Sequence, residues 1–363
     1  MITLKEIKQS THQRVSYYHN SDTNLEAIIA IHSTALGPSL GGCRMMPYST
    51  KEEALRDVLR LSEGMTYKAA IAGLKLGGGK AVILSDPKLD KTTNLLKSFG
   101  EFINELGGDY ITAEDMGMTV KDMEIIKTKT KHVTGLSESL GGSGDPSDFT
   151  SYGTYVGIKT AANFKFGNDD LNGLSIAVQG LGNVGLKLIK YLSKYDIKIF
   201  VNDVDLEKIN QCVSDYNATP VSSEELYDLD VDIFCPCAIG GIINDSTIKK
   251  MKFKIIAGAA NNILEDYNKH GKMLFQKGVL YAPDYVINAG GLINIYNEFK
   301  DIYNRDDIFN QVSRIGDTLT NIFEISNRDS IATNIVSDKL ATDIIKKAEK
   351  DKASRIKQIE SCE

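Results

Sequence analysis

The stretch GMTYKAAIAGLKLGGGKAVIL, residues 64–84, carries Lys68, Lys75 and Lys80 among almost nothing but small and apolar side chains. A lysine enclosed by apolar matter must have its charge matched or give it up. One that gives up its proton is a base. Its ordinary pKa is near ~10.4, so service near neutral pH requires a drop of roughly 2–3 units, about 3–4 kcal/mol against the charged form. Burial and a neighbouring cation both push that way. Lys80 follows Gly77, Gly78 and Gly79, which allow close backbone approach, and precedes an apolar run. Lys68 can supply the second cation. The pattern by itself also fits solvated loop lysines, and Lys75 has nothing beyond that reading. A phosphate-binding Walker loop is excluded: the first glycine would fall at Leu74 and the hydroxyl at Ala81.

A second chemical pattern begins at Leu174. The apolar run LSIAVQG leads into Gly180-Leu181-Gly182-Asn183-Val184-Gly185, a G-x-G-x-x-G that opens a helix. The first glycine permits the tight turn. The second lets backbone approach a pyrophosphate, and the third lets helix and strand pack closely. The helix N-terminus offers N–H groups to the phosphates. Asp203 lies 23 positions after Gly180, near the ~20 expected of a ribose-binding carboxylate. Val204, Asp205, Leu206 and Glu207 follow, with no arginine for a 2′-phosphate. NAD is therefore expected rather than NADP. The plain alternative makes Asp203 a helix cap.

These residues need elements to position them. Leu25–Thr34 is a strand candidate. Ser49 with Glu52 and Thr50 with Glu53 have capping-box spacing for a helix, and Thr92–Leu106 has helical apolar spacing. Tyr110–Thr112 reads as a strand. Gly141–Pro146 is the best hinge candidate. Beyond it, strands at 174–180, 197–203, 231–238 and 254–260 alternate with helical pieces, including Leu206–Tyr216, which implies a parallel sheet. The tail from Asn288 to about Glu360 reads as helices. The expected class is α/β: an N-terminal α/β substrate and catalytic domain (1–140), a Rossmann dinucleotide-binding domain (141–330) and a C-terminal helical segment packing back (331–363).

The chain has 363 residues, 42% hydrophobic and 25% charged, as in soluble globular proteins. Its 48 acidic against 42 basic residues give a net charge of −6, which argues against a nucleic-acid binder. MITLKEIKQSTHQRV has no apolar secretory core, and no apolar stretch approaches the ~18 residues that span a bilayer. Cys43, Cys212, Cys235, Cys237 and Cys362 are few and irregularly spaced, which suits a reducing cytoplasm. Cys235 and Cys237 form a C-x-C, but no second pair completes a zinc site, so no metal is expected.

GPSLGGCRMMPY, GMTYKAAIAGLKLGGGKAV, TAEDMGMT, GSGDPS, AVQGLGNVG, AGAANN and YAPDYVINAGGLINIYNE occur in this order. Together they resemble the family of glutamate, leucine, phenylalanine and valine dehydrogenases over nearly the whole chain. The resemblance implies an N-terminal α/β domain facing a Rossmann domain across a cleft. It implies reversible oxidative deamination of an L-amino acid to a 2-oxo acid and ammonium. By it, Lys80 activates water, Lys68 binds the substrate carboxylate, and Asp115 shuttles protons with the amino group. Gly41 contributes backbone at the same end. Asn262 faces substrate and nicotinamide, and Asn261 belongs with the coenzyme contacts. The family also implies a homo-oligomer.

Glutamate dehydrogenases carry lysine where this chain has Leu40. Without it a second substrate carboxylate would be buried unpaired. An apolar substrate side chain is therefore expected. The resemblance lines its pocket with Leu40, Ala113, Leu292 and Ile295. Leu292 departs from the valine usual in leucine dehydrogenases, while Ala113 departs from the glycine that accompanies such a leucine in phenylalanine dehydrogenases. Ala113 narrows the pocket and favours branched aliphatics, so L-leucine and its branched-chain relatives are the expected substrates. The alternatives are a phenylalanine or tryptophan dehydrogenase, or a catalytically silent NAD-binding sensor.

Overall fold

The computed structural model describes residues 1–300 and 303–360; Cys362 lies outside them. The chain forms two compact units. The first holds Met1–Gly144, Ile295–Tyr303 and the chain from Ala341 on; the second holds Asp145–Asn294 and Asn304–Leu340. The first boundary falls inside the glycine-rich stretch Gly141–Pro146. The units are not the contiguous blocks 1–140, 141–330 and 331–363, because the chain returns to the first unit twice. The reason is packing. Ala341 and Ile345 join Ala70 in a cluster with Ala35, Leu36 and Tyr67, and Glu298 is bonded to the 134–143 segment.

In the first unit the strands are β1 (Ile2–Glu6), β2 (Arg14–Asn20), β3 (Leu25–Ser33), β4 (Ser39–Met46), β5 (Gly77–Leu84) and β6 (Tyr110–Glu114). They form one sheet in the order β1-β2-β3-β5-β4-β6. The pairs β1–β2, β2–β3 and β3–β5 are antiparallel, whereas β4 runs parallel to β5 and β6. Helix α1 (Lys51–Ile71) links β4 to β5, and α2 (Thr93–Glu105) links β5 to β6; α3 (Val120–Lys127) follows. Thr50 and Thr92 cap α1 and α2, accepting from the amides of Glu53 and Leu95. The caps satisfy N–H groups that would otherwise lack partners.

Both sheet faces are covered. Ala54 and Val58 of α1 pack on Val15, Ile28, Ala30 and Val82. Leu95, Phe99 and Phe102 of α2 and Met123 and Ile126 of α3 pack on Ala27, Ile29, Ile31, Cys43, Met45, Ala81 and Ile83. Two buried faces explain why β3 and β5 read as nearly continuous apolar runs. Side chains alternate along a strand, so Lys80 shares the α1 face with Val82.

The glycines before Lys80 are dictated by crowding. A Cβ on Gly77 would lie 1.9 Å from the Ser33 carbonyl oxygen, and one on Gly78 would lie 2.1 Å from the Thr66 amide of α1. One on Gly79 would meet the Tyr110 ring at 2.7 Å. β5 is thus pressed against its neighbours and under α1 at the point where it delivers Lys80.

The second unit opens with α4 (Ser147–Phe166). Then β7 (Ser175–Gln179), α5 (Asn183–Leu192), β8 (Lys198–Asn202), α6 (Leu206–Tyr216) and β9 (Thr219–Pro220) form one half. The other half is β10 (Ile233–Pro236), α7 (Asp245–Lys250), β11 (Ile255–Ile256), α8 (Tyr267–Gln276) and β12 (Leu280–Tyr281). All six strands are parallel, in the order β12-β11-β10-β7-β8-β9. This is the doubly wound dinucleotide-binding order, whose direction reverses between β7 and β10. Helices α9 (Asp284–Ile287), α10 (Gly290–Phe299), α11 (Arg305–Ser313), α12 (Ile315–Asp329) and α13 (Thr333–Glu360) complete the chain. Among the described residues, no helix is long and apolar enough to cross a membrane.

Candidate active site

The first unit gathers Lys80, Asp115, Leu40, Gly41 and Ala113 at β4, β5 and β6. Lys80 is buried, at 7% exposure, and its Nζ lies 2.5 Å from Asp115 Oδ2. Arg44 Nε lies 3.4 Å from the same oxygen, a charge contact rather than a hydrogen bond. Arg44 is held from its other side by Asp57 at 2.9 Å. Asp57 also accepts from the Tyr48 hydroxyl. Two cations therefore face one carboxylate. Burial alone pushes the Asp115 carboxyl up. The Lys80 ammonium, then the Arg44 guanidinium and the Met116 amide, outweigh it and hold the carboxyl below the usual carboxylate range.

Glycine clears the space around this pair. A Cβ on Gly42 would lie 2.9 Å from Asp115 Cβ, and one on Gly41 would lie 1.7 Å from the Gly79 carbonyl oxygen. The Tyr110 hydroxyl donates to the Gly41 carbonyl at 2.6 Å and fixes the backbone there. Leu40, 2% exposed, pairs with Gly78 and Ile111, while Gly42 stands opposite Ala113. Lys68 lies on α1 one turn beyond Met65, whose Cγ would be 3.4 Å from a Gly41 Cβ. Lys75 is exposed.

The second unit gathers the glycine loop, Asp203, Asn261, Asn262 and Leu292. Gly180 has φ +97°, and its Cβ would meet Ala238 at 2.7 Å. A Gly185 Cβ would lie 2.0 Å from the Gly180 carbonyl oxygen, so the helix can approach the strand only without a side chain. A Cβ on Gly182 would meet nothing within 4 Å, and this open position is the N-cap of α5. Asp203 accepts the Leu181 amide at 2.5 Å and the Asp205 amide at 2.9 Å. The cap of α6 is Asp205, so Asp203 is not spent on that task. Asn262 sits at φ +52°, a left-handed conformation uncommon outside glycine. Leu292 is buried.

Two participants carry no local signal in the sequence. Arg44 meets Asp115 only through the fold. Asn288, 4% exposed, donates to the Ala259 carbonyl at 3.1 Å and to Asn261 Oδ1 at 2.7 Å, while its own buried Oδ1 has no hydrogen-bond donor among the described residues. An open glycine loop, a free helix N-cap and a buried amide oxygen of this kind fit a dinucleotide.

Family models for the Glu/Leu/Phe/Val dehydrogenase dimerisation domain and for Glutamate/Leucine/Phenylalanine/Valine dehydrogenase match residues 8–132 and 201–326. The chain belongs to this family. It is an amino-acid dehydrogenase, and NAD is its coenzyme. Among its relatives, L-tryptophan dehydrogenase of Nostoc punctiforme is 47% identical over 356 residues, 98% of this chain and 99% of that protein. Leucine dehydrogenase of Thermoactinomyces intermedius is 48% identical over 335 residues, 92% and 91% of the two chains. A crystal structure of L-tryptophan dehydrogenase from Nostoc punctiforme superposes with TM-score 0.84 at 46% identity, covering 94% of this dehydrogenase and 97% of that chain.

The depressed Asp115 carboxyl has a consequence for acid stability. A carboxylate favoured by the fold stabilises it above the unfolded value of ~3.9, and that stabilisation is lost as pH falls through the folded pKa. In urea melts, the midpoint of Asp115→Asn should lie below that of the parent by a constant amount from about pH 5 to 7. The gap should begin to narrow below about pH 4 and close only as pH falls through the folded pKa. A gap independent of pH throughout would mean that the charge on Asp115 does not stabilise the fold.

Proposed function

We propose that this dehydrogenase catalyses NAD-dependent reversible oxidative deamination of L-leucine and other branched-chain L-amino acids. The observation that carries the chemistry is the buried Lys80–Asp115 pair on strands packed closely through Gly41, Gly42 and Gly79, beside Leu40. Lys68 binds the substrate carboxylate, with Gly41 backbone beside it. NAD, when bound, accepts the hydride from the substrate α-carbon. Gly180, Leu181, Gly182, Asn183, Val184 and Gly185 hold its pyrophosphate, and Asp203 its ribose. Asn261 and Asn262 stand at the nicotinamide end.

Loss of hydride leaves an iminium carbon on the substrate. Lys80 takes a proton from the attacking water. Asp115 takes and returns the proton that lets nitrogen leave as ammonia. The neighbouring Lys80 and Arg44 charges keep Asp115 ionised between those steps.

Leu40 and Ala113 support an aliphatic side chain. Leu40 is apolar with no charge to offer a second carboxylate, and Ala113 leaves less room for a side chain than glycine would. An aromatic substrate is the second reading, favoured by a tryptophan dehydrogenase as similar to this chain as the leucine enzyme is. One methylene in an apolar pocket is worth only ~1–3 kcal/mol, so the two readings differ by few contacts. A homo-oligomer in the cytoplasm completes the proposal; a match to a dimerisation-domain model supports self-association.

The test is NADH formation at 340 nm with a panel of L-amino acids at alkaline pH. Higher kcat/KM for leucine, valine and isoleucine than for phenylalanine and tryptophan supports the proposal. The reverse order selects the aromatic reading. NAD binding without turnover of any amino acid selects a silent sensor.

A further inference from the structure

Glu298, on α10 within the first unit, is half-buried and accepts hydrogen bonds from one loop on both its oxygens. Oε1 takes the Thr134 hydroxyl at 2.6 Å and the Gly135 amide at 2.8 Å, with the Leu136 amide at 3.4 Å. Oε2 takes the Ser143 amide at 3.0 Å and the Ser143 hydroxyl at 2.6 Å. Hydrogen bonds to an ionised acceptor are about twice as strong as neutral ones. This carboxylate is therefore a strong tether between α10 and the 134–143 segment.

The segment it grips is part of the candidate pocket's wall. Thr112 and Val133 form a parallel bridge beside β6. The Thr134 amide donates to the Thr112 carbonyl at 2.9 Å, and the Thr112 amide to the His132 carbonyl at 3.1 Å. Gly135, at φ +76°, then turns against Ala113: a Cβ there would lie 3.9 Å from Ala113 Cβ and 3.8 Å from the Glu114 amide nitrogen. On α10, Ile295 precedes Glu298 by three residues and so shares its helix face. The same carboxylate thus couples the helix that carries Ile295 to the strand that carries Ala113.

We infer that Glu298 is a positioning residue for substrate side-chain selectivity, setting the separation between Ile295 and the Ala113 edge of β6. This rests on the proposal that Ala113 and Ile295 line the side-chain pocket. Glu298 itself touches neither coenzyme nor reacting atoms in this scheme. Its partners are 155 to 164 residues away in sequence, so the coupling exists only in the folded chain.

Two variants test it. Glu298→Ala removes the tether. Glu298→Gln keeps the shape, but its amide must turn N–H groups toward either the Thr134–Gly135 donors or the Ser143 donors, which breaks half of it. For each, kcat and KM are measured with the preferred amino acid, with a shorter and a bulkier one, and with NAD. The expected result is a fall of about tenfold in the kcat/KM ratio of preferred to non-preferred substrates, larger for Ala than for Gln. It should arise through amino-acid KM, with kcat on the preferred substrate and the KM for NAD nearly unchanged. Unchanged ratios in the folded variants would overturn the inference. So would a uniform loss of kcat with every KM, which marks a merely structural role. If Glu298→Ala does not fold, Glu298→Gln decides by the same ratio. A parent protein that turns over no L-amino acid fails differently: it removes the pocket reading itself, and the inference with it.

Discussion

Replacing Lys80 by alanine is expected to lower kcat for deamination by about 10²–10⁴-fold, the range supplied by a positioned general base. NAD affinity should stay within about twofold, since the coenzyme contacts proposed here lie in the other unit. The expectation follows from geometry. Lys80 sits on a strand too crowded at Gly77, Gly78 and Gly79 for any side chain, and its Nζ meets Asp115 at 2.5 Å. No other lysine can reach the same point from β5, because Lys75 is exposed before the strand begins. Stopped-flow hydride transfer and equilibrium NAD titration, run on the same preparation, separate the two effects. Equal loss of turnover and of coenzyme affinity would show that Lys80 is structural.

Replacing Asp203 by alanine should weaken NAD by about 10–100-fold, the worth of one hydrogen bond to a charged group at roughly 1.5–3 kcal/mol. NADP should be affected less, because the carboxylate that repels a 2′-phosphate is gone. The NAD-to-NADP preference in kcat/KM should therefore fall by a similar factor. Asp205→Ala is the control. That residue caps α6, and its loss should cost about 1 kcal/mol of stability without altering coenzyme choice. An unchanged preference in Asp203→Ala would place the ribose elsewhere.

What the sequence disclosed followed the range of the interactions. Thr50 was legible as a cap because the amide it accepts lies three residues on. The glycine loop was legible because turn, strand and helix sit within a dozen residues. The crowding at Gly79 was not, since Tyr110 arrives from another strand. Arg44 reaches Asp115 only when β4 lies beside β6. The return of the chain to the first unit is hidden for the same reason. The tail from Asn288 to about Glu360 reads as helices, but nothing local says that Glu298 bonds the 134–143 segment or that Ala341 and Ile345 pack beside Ala70. The two-residue strands β9 and β12 are too short for any periodicity to register, whereas β11 lies inside the apolar run 254–260.

The Asp203 carboxylate accepts the Leu181 amide and so ties the end of β8 to the glycine turn. If that turn receives the pyrophosphate as proposed, the bond narrows the conformers open to it. Binding there then costs less chain entropy than it would in an untied loop. Encounter with the coenzyme should accordingly be a single-step association, its observed rate rising linearly with coenzyme concentration rather than levelling off at a slow isomerisation.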